Sequence, residues 1–192
     1  MKQKYFLLLV MNLLLVRCVV FNNYNPKPNE ILFTEDGKSS KSILVNVKQK
    51  HFQNGDSRDV YPRQEKKLRK KFAKILAESY LFKEVKTGLA VSDIQLRIEI
   101  DVKVVMDDLL FMLSCLTFQI VPLFISENHT VTFQFRDKKN TLIKEYKKQV
   151  KKDIYIQLFL LPVLPVYFLE SDPYELITKS VLLEANQDGI LK

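Results

Sequence analysis

The sequence predicts an α+β fold: a single antiparallel meander sheet with one long helix after the first strand and a C-terminal helix, both packed on one face. Two patterns carry this prediction. Apolar and polar residues alternate strictly from Ile94 to Val104, which is typical of a strand with one buried face. Apolar residues recur at three- and four-residue spacings between Arg63 and Val85, which is typical of an amphipathic helix.

Shorter signals predict the other strands. Ser42 to Phe52 begins with an alternating pattern and is predicted to be the first strand. Thr130 to Phe135 alternates again, and Thr141 to about Val150 follows a polar turn at 136–140. We therefore expect these two segments to form an antiparallel hairpin.

The C-terminal helix has a well-marked start. Asp172 is suited to be its N-cap, Pro173 to be its first residue, and Glu175 to close a capping box with Asp172. Gly189 follows the last apolar position and is predicted to end the helix. These elements together define one α+β domain over residues 43–192.

The N-terminus has the pattern of a secretory leader. Lys2 and Lys4 precede a short apolar run that ends at Cys18, so residues 1–18 are predicted to be a signal peptide. Residues 19–42, rich in Asn, Pro, Lys and Ser, are predicted to be a flexible tether. The second cysteine, Cys115, lies in an apolar run and is predicted to be a buried free thiol. A disulfide between Cys18 and Cys115 is the alternative if Cys18 is neither acylated nor removed.

The net charge of the 192-residue chain is +8, with lysines concentrated at 66–74 and 138–152. A basic surface can bind nucleic acid or anionic lipid headgroups, or can simply be solvated. An exported protein rarely meets nucleic acid, so we do not expect a nucleic-acid partner.

Two apolar segments, 109–125 and 158–169, are longer than the predicted strands and helices require. Polar residues or prolines interrupt both, so neither is predicted to be a clean transmembrane helix. Three interpretations remain open: buried core, a surface that dips into the membrane, and a groove for an acyl chain or a partner protein. We expect the two segments to lie together in space. The candidate interaction surface consists of Leu110, Phe111, Leu113, Phe118, Leu123, Phe124, Leu160, Leu161, Leu164 and Phe168.

The sequence contains no recognisable catalytic motif. His51 and His129 are its two histidines, and no set of Cys, Asp or Glu with metal-site spacing accompanies them. Asp107 and Asp108 are better explained by a helix N-terminus than by a cation site. The sequence therefore predicts a non-catalytic protein without a cofactor or metal. An enzyme with a site formed by Asp107, Asp108, Glu127 and His129 is a distant alternative.

Two stretches resemble known protein classes. Leu15-Val16-Arg17-Cys18 resembles a bacterial lipobox, with Leu15 at the usual position and Arg17 where a small residue is usual. The IVPLF stretch, the TVTFQFRDKKNTLIKEY hairpin and the LLPVLPVYF stretch are similar to uncharacterised envelope lipoproteins of the spirochaete type, over about residues 42–186. The resemblance implies palmitate or another acyl chain on Cys18, or else an uncleaved leader that anchors the chain.

The expected function is that of a non-catalytic, membrane-anchored envelope lipoprotein. It would bind an envelope protein or a lipid through its two apolar segments. The alternative is an accessory or structural subunit of an envelope transport or assembly complex. The sequence indicates the cell envelope but neither the inner nor the outer membrane, and it indicates no oligomeric state.

Overall fold

Seven strands and three helices are present in the computed structural model, which describes residues 17–22, 40–60, 62–117, 120–157 and 172–191. The strands are β1 (Arg17–Asn22), β2 (Ser42–Gln53), β3 (Asp56–Arg58), β4 (Glu84–Thr87), β5 (Ile94–Met106), β6 (Leu123–Arg136) and β7 (Leu142–Gln157). The helices are α1 (Pro62–Glu78), α2 (Asp108–Leu116) and α3 (Pro173–Gln187). One sheet contains all seven strands in the order β1-β7-β6-β5-β2-β3, and β4 also pairs with β2.

The predicted antiparallel meander is wrong at the centre of the sheet. There β2 runs parallel to β5, from Ile43↔Ile94 to Gln53↔Val104, and it also runs parallel to β4. The reason is that α1 carries the chain back along the sheet, so β4 and β5 run in the same direction as β2. An alternating sequence specifies which face of a strand is buried but not the direction of its neighbour.

The predicted placement of the helices is also wrong. The long helix α1 follows the third strand rather than the first, and a third helix, α2, lies within the first apolar segment. α1 ends at Glu78, seven residues before the predicted end at Val85. The chain leaves the helix because Tyr80 adopts a left-handed conformation (φ 56°), after which Leu81 and Phe82 are buried and β4 begins.

The start of the parallel pair is fixed by one side-chain clamp. The backbone N–H and the hydroxyl of Ser42 in β2 both donate to Oδ2 of Asp93, each at 2.8 Å. The Lys138 ammonium lies 2.7 Å from Oδ1 of Asp93. The hydrogen bonds from Lys138 and Ser42 hold the pKa of Asp93 well below its usual range. The clamp therefore acts in the ionised form of Asp93 at neutral pH.

Helices α1 and α3 pack against the same face of the sheet. α1 buries Phe72, Ile75 and Leu76, and alternate residues of β5 and β6 meet them from the sheet. The Phe72 ring packs edge-on against Phe133, with the ring centroids 6.2 Å apart. α3 buries Ile177, Thr178, Val181, Leu182 and Ala185. This layer of apolar contacts is the core of the domain.

The N-cap of α3 is confirmed, but its capping box is not. Oδ1 of Asp172 accepts a hydrogen bond of 3.0 Å from the backbone N–H of Tyr174. The Glu175 carboxylate accepts from Lys179 at 2.6 Å, one helical turn along, rather than bonding back to Asp172. A nearby ammonium outcompetes the backbone N–H because the bond between the two charged groups is stronger.

Candidate functional site

Helix α2 is built on Asp107 and Asp108. Oδ1 of Asp107 accepts hydrogen bonds from the backbone N–H groups of Leu109 (2.9 Å) and Leu110 (3.0 Å), so Asp107 is the N-cap. Oδ1 of Asp108 accepts from the side-chain amide of Asn54 at 3.3 Å. The interpretation of this acidic pair as a helix N-terminus is confirmed.

The side chains of α2 reverse the usual amphipathic arrangement. Its one buried residue is Ser114, which is 1% exposed and whose hydroxyl has no hydrogen-bond partner in the described part of the chain. Leu109 and Leu116 are 67% and 72% exposed. A soluble helix ordinarily buries its leucines and exposes its serines. The exposed apolar side chains of α2 and the segment that follows it form a patch that we call the α2 surface: Leu109, Phe111, Met112, Leu113, Leu116, Ile120 and Phe124.

The α2 surface contains only part of the predicted interaction surface. Phe111, Leu113 and Phe124 belong to it, and Leu110 beside them is half-buried. Leu123 is 5% exposed, because β6 has already begun and directs alternate side chains to opposite faces. The other predicted residues lie outside the described part of the chain: Phe118, Leu160, Leu161, Leu164 and Phe168.

Four members of the α2 surface were missed by sequence reasoning. They lie inside the predicted apolar segment, but nothing in the local pattern distinguished exposed from buried positions: Leu109, Met112, Leu116 and Ile120. The prediction for Cys115 is wrong, because this thiol is exposed on α2. For the four residues of α2 the cause is the same, since Ser114 is the one buried position of that helix. Ile120 lies beyond the helix and is exposed.

Strand pairing places the α2 surface at the end of the sheet where β1 begins. Cys18 pairs with Ile156, and Ile156 pairs with Leu123, the first residue of β6. Two strand spacings therefore separate the backbones of Cys18 and Leu123, about 10 Å. Gln157, the last residue of β7, lies at the same end. The second apolar segment, which begins at residue 158, follows directly; it lies outside the described residues, as do residues 1–16 of the predicted leader.

An aromatic contact stabilises this end of the sheet. The rings of Phe124 and Tyr155 pack edge to face with their centroids 4.6 Å apart. Tyr155 pairs through the backbone with Val19 of β1, so the contact lies beside the N-terminal strand. None of the helices in the described ranges is long and apolar enough to cross a membrane.

A second polar cluster lies on the helix-covered face, around His129. Nδ1 of His129 lies 2.6 Å from the Tyr174 hydroxyl, and Nε2 lies 3.0 Å from Oε2 of Glu127. Because a carboxylate can only accept, the neutral tautomer that satisfies both bonds carries its proton on Nε2. His129 lies within β6.

Hydrogen bonds, nearby charges and burial together shift the pKa values of two groups in this cluster. The hydrogen bond from His129 and the nearby Lys152 ammonium, 3.4 Å away, lower the pKa of Glu127. Burial, together with the negative charges of Glu127 and Asp172, raises the pKa of the Tyr174 hydroxyl well above its usual range. The Tyr174 hydroxyl is therefore protonated at neutral pH and donates a hydrogen bond to Nδ1 of His129.

The cluster separates two cavities of about 490 and 190 Å³, which share Lys71 and His129 in their linings. Lys71 forms an ion pair with Asp172 and lies 5.0 Å from the centre of the Tyr174 ring. These contacts connect α1, α3 and the sheet. Of the four residues in the enzyme alternative, Glu127 and His129 come together, whereas Asp107 and Asp108 do not line either cavity.

His129 links a carboxylate to a hydroxyl. Its two ring nitrogens are hydrogen-bonded to Glu127 and to Tyr174. In the part of the chain that the structure describes, no group of three or more His, Cys, Asp and Glu side chains could hold a metal ion.

Comparisons with known proteins identify no relative by sequence: no family model and no curated protein matches the chain. Among solved structures, a protein described as a neuraminyllactose-binding hemagglutinin homolog from Helicobacter pylori has a TM-score of 0.40 and 13% identity, covering 84% of this chain and 97% of its own. The PelC dodecamer from Paraburkholderia phytofirmans has a TM-score of 0.29 and 9% identity, covering 85% and 91%. Similarities this weak carry no argument about function.

Proposed function

We propose that this protein is a non-catalytic envelope lipoprotein, anchored by an acylated Cys18, that rests its α2 surface on the lipid bilayer. The observation that carries the proposal is the strand register, in which Cys18 is two strands from Leu123 at the end of the sheet that bears α2. An acyl chain on Cys18 would enter the membrane beside the exposed apolar side chains of the α2 surface.

Two contacts with the membrane are physically more useful than one. A single acyl chain gives only marginal, reversible membrane binding, and a second signal makes it stable. An exposed apolar patch that continues the anchored end of the domain supplies such a signal. The position of the α2 surface would also fix the orientation of the domain on the bilayer.

The proposal of a non-catalytic role rests on how the polar groups are used. Asp107 caps α2, and His129 is bonded through both of its ring nitrogens. Lys71 and Lys152, the cations near His129, are paired with Asp172 and Glu127. Each of these groups has a partner among the described residues, and this arrangement supports a structural role for them.

The anchor is tested by metabolic labelling in a bacterial host. We expect the full chain to incorporate labelled palmitate and the Cys18→Ser variant to incorporate none, because the cysteine thiol is the acyl acceptor. Mass spectrometry of the purified protein provides the second measurement. A mature chain that retains residues 1–17 and carries no lipid would contradict acylation and favour an uncleaved anchor.

The α2 surface is tested by liposome co-sedimentation of the full-length Cys18→Ser protein, so that acylation does not dominate binding. Phe111→Asp and Leu116→Asp should each lower partitioning about tenfold or more, since each removes apolar contact and adds a charge. Ile143→Asp is the matched control, because Ile143 is exposed near the opposite end of the sheet. Equal losses in all three variants, or none, would overturn the proposal. Loss of a co-purifying envelope protein with unchanged liposome binding would instead favour the accessory-subunit function.

A further inference from the structure

A third cavity, of about 260 Å³, lies near the end of the sheet opposite the α2 surface. Its lining includes Gln95 of β5, and Met106, beside α2, lies eleven positions further along the same strand. At the rise of an extended strand this corresponds to about 36 Å. The cavity is therefore remote from the proposed membrane contact and independent of it.

A gap along the outer edge of β2 creates this cavity. β4 pairs with residues 42–45 of β2, and β3 pairs with residues 51–53, so no strand among the described residues covers the edge between them. Helix α1 covers it instead: Oε1 of Glu65 accepts a hydrogen bond of 3.2 Å from the backbone N–H of Gln49. Arg69, one turn along α1 from Glu65, consequently reaches the same cavity as Arg97 of β5.

The cavity concentrates positive charge. Four cations line it, Lys48, Arg69, Arg97 and Arg136, against one carboxylate, that of Glu65. Arg97 is held by Glu99, at 2.8 Å, and Arg136 donates to the carbonyl of Asn140 and the side chain of Gln134, each at 3.0 Å. Within the described part of the chain, the side chains of Lys48 and Arg69 form no hydrogen bond or ion pair.

An independent observation concerns the hydrogen bonds of the arginines. The Nε atoms of Arg69, Arg97 and Arg136 are all buried without a hydrogen-bond partner among the described residues. Three guanidinium groups around one cavity are thus partly removed from water without full compensation. Because an Nε atom that water cannot reach is also closed to a ligand, the terminal N–H groups of the guanidinium forks are the donors for an oxyanion in the cavity, and their planar geometry matches carboxylate and phosphate oxygens.

We propose that this cavity binds a small hydroxylated molecule that carries a phosphate or carboxylate group. The arginines would hold the anionic group. The side-chain amides of Asn46, Gln95 and Asn140 also line the cavity and can exchange hydrogen bonds with hydroxyl groups. The cavity is several times larger than the roughly 30 Å³ occupied by a water molecule, so it has room for the body of the ligand beside its anionic group.

The test is isothermal titration calorimetry of the purified full chain with glucose 6-phosphate, glucuronate, inorganic phosphate and glucose, at constant ionic strength. We expect glucose 6-phosphate or glucuronate to bind and glucose not to bind. The stronger of the two acids identifies the anionic group, and binding of inorganic phosphate alone would show that the hydroxyl contacts are absent and overturn that part of the proposal. No binding of any anion at tens of millimolar, or equal binding of glucose, would overturn it entirely.

Variants of the cavity arginines test whether the anion binds in this cavity. Arg69→Gln and Arg97→Gln should each weaken the affinity for the anion at least tenfold, with thermal unfolding used to confirm that both variants fold. Arg69→Gln is the more decisive of the two, because Arg69 has no described partner whose loss could disturb the domain. Lys147→Gln is the control: Lys147 is an exposed cation of β7 that does not line the cavity. An equal loss in Lys147→Gln would show that binding is a general effect of positive charge and would contradict the proposal.

Discussion

The two ends of the sheet have opposite surface chemistry although the same strands run between them. At the end where β5 finishes and β6 starts, the exposed side chains are the leucines, phenylalanines and methionine of the α2 surface. At the end where β5 starts, Lys48 and three arginines surround a polar cavity. The core between them is ordinary. The apolar end is built mainly by the helix that joins β5 to β6, whereas the cavity is lined mainly by strand residues together with two residues of α1.

The largest expected effect is a loss of stability when a side chain of the core between the two ends is truncated. Phe72→Ala should destabilise the domain by about 3–5 kcal/mol, because the ring is fully buried and packs against Phe133 and Tyr174. Urea unfolding followed by circular dichroism measures the change. A loss below about 1 kcal/mol would mean that α1 does not pack on the sheet as described.

The next largest effect is a difference in stability between a buried and an exposed leucine of the first apolar segment. Leu123→Ala should cost about 2–4 kcal/mol, because Leu123 is buried at the start of β6. Leu116→Ala should change stability by less than about 0.5 kcal/mol, because Leu116 is 72% exposed. Equal losses in the two unfolding experiments would show that α2 is buried, and the α2 surface would not exist as a free patch.

A smaller effect concerns the polar cluster between the ends. Tyr174→Phe removes the hydroxyl that donates to Nδ1 of His129 and should cost about 1–2 kcal/mol, since the buried ring nitrogen then lacks a donor. The same variant should leave both the liposome partitioning and the anion affinity unchanged. A change in liposome partitioning would show that the cluster affects the α2 surface, and a change in anion affinity would show that it affects the arginine cavity.

The smallest effect is a pH dependence. The pKa of Glu127 is lowered in the folded protein, chiefly by the hydrogen bond from His129, so its contribution to stability is present above the unfolded carboxyl pKa of about 4.3 and is lost as the pH falls through the folded value. Unfolding free energies measured at pH 7 and pH 3 should therefore differ less in Glu127→Gln than in the unchanged protein. An identical difference in both proteins would contradict this role for Glu127.

Sequence patterns predicted the elements whose signals are local. The strict alternation of β5, the amphipathic spacing of Leu68, Phe72 and Leu76 in α1, and Asp172 as the N-cap of α3 are all confirmed. Each depends on residues within a few positions of one another, and a period of two or of 3.6 residues is enough to specify a face. The capping box at Glu175 failed because Lys179 competes for the same carboxylate.

The candidate sites were less predictable. The segment containing α2 was recognised as unusual, but its exposed face could not be distinguished from a core because the segment has no clear polar side. The arginine cavity left no signal at all: Arg69, Arg97 and Arg136 are spread over more than sixty residues, roughly the length of a small domain. The pairing of β5 with β6 brings Arg97 and Arg136 together, and Arg69 joins them because a helix covers the edge gap in β2.

Local patterns were enough to predict β2, β5, the β6–β7 hairpin, α1 and the start of α3, together with the buried faces of β5 and α1, but not β1, β3, β4 or α2. Three features became visible only in the folded chain: β2 and β5 are parallel, α2 exposes its leucines, and Cys18 and α2 share one end of the sheet. This division arises because the spacing of apolar residues is a property of one segment of the chain. The direction of a neighbouring strand, and the residues that meet across it, depend on how the chain returns over long separations.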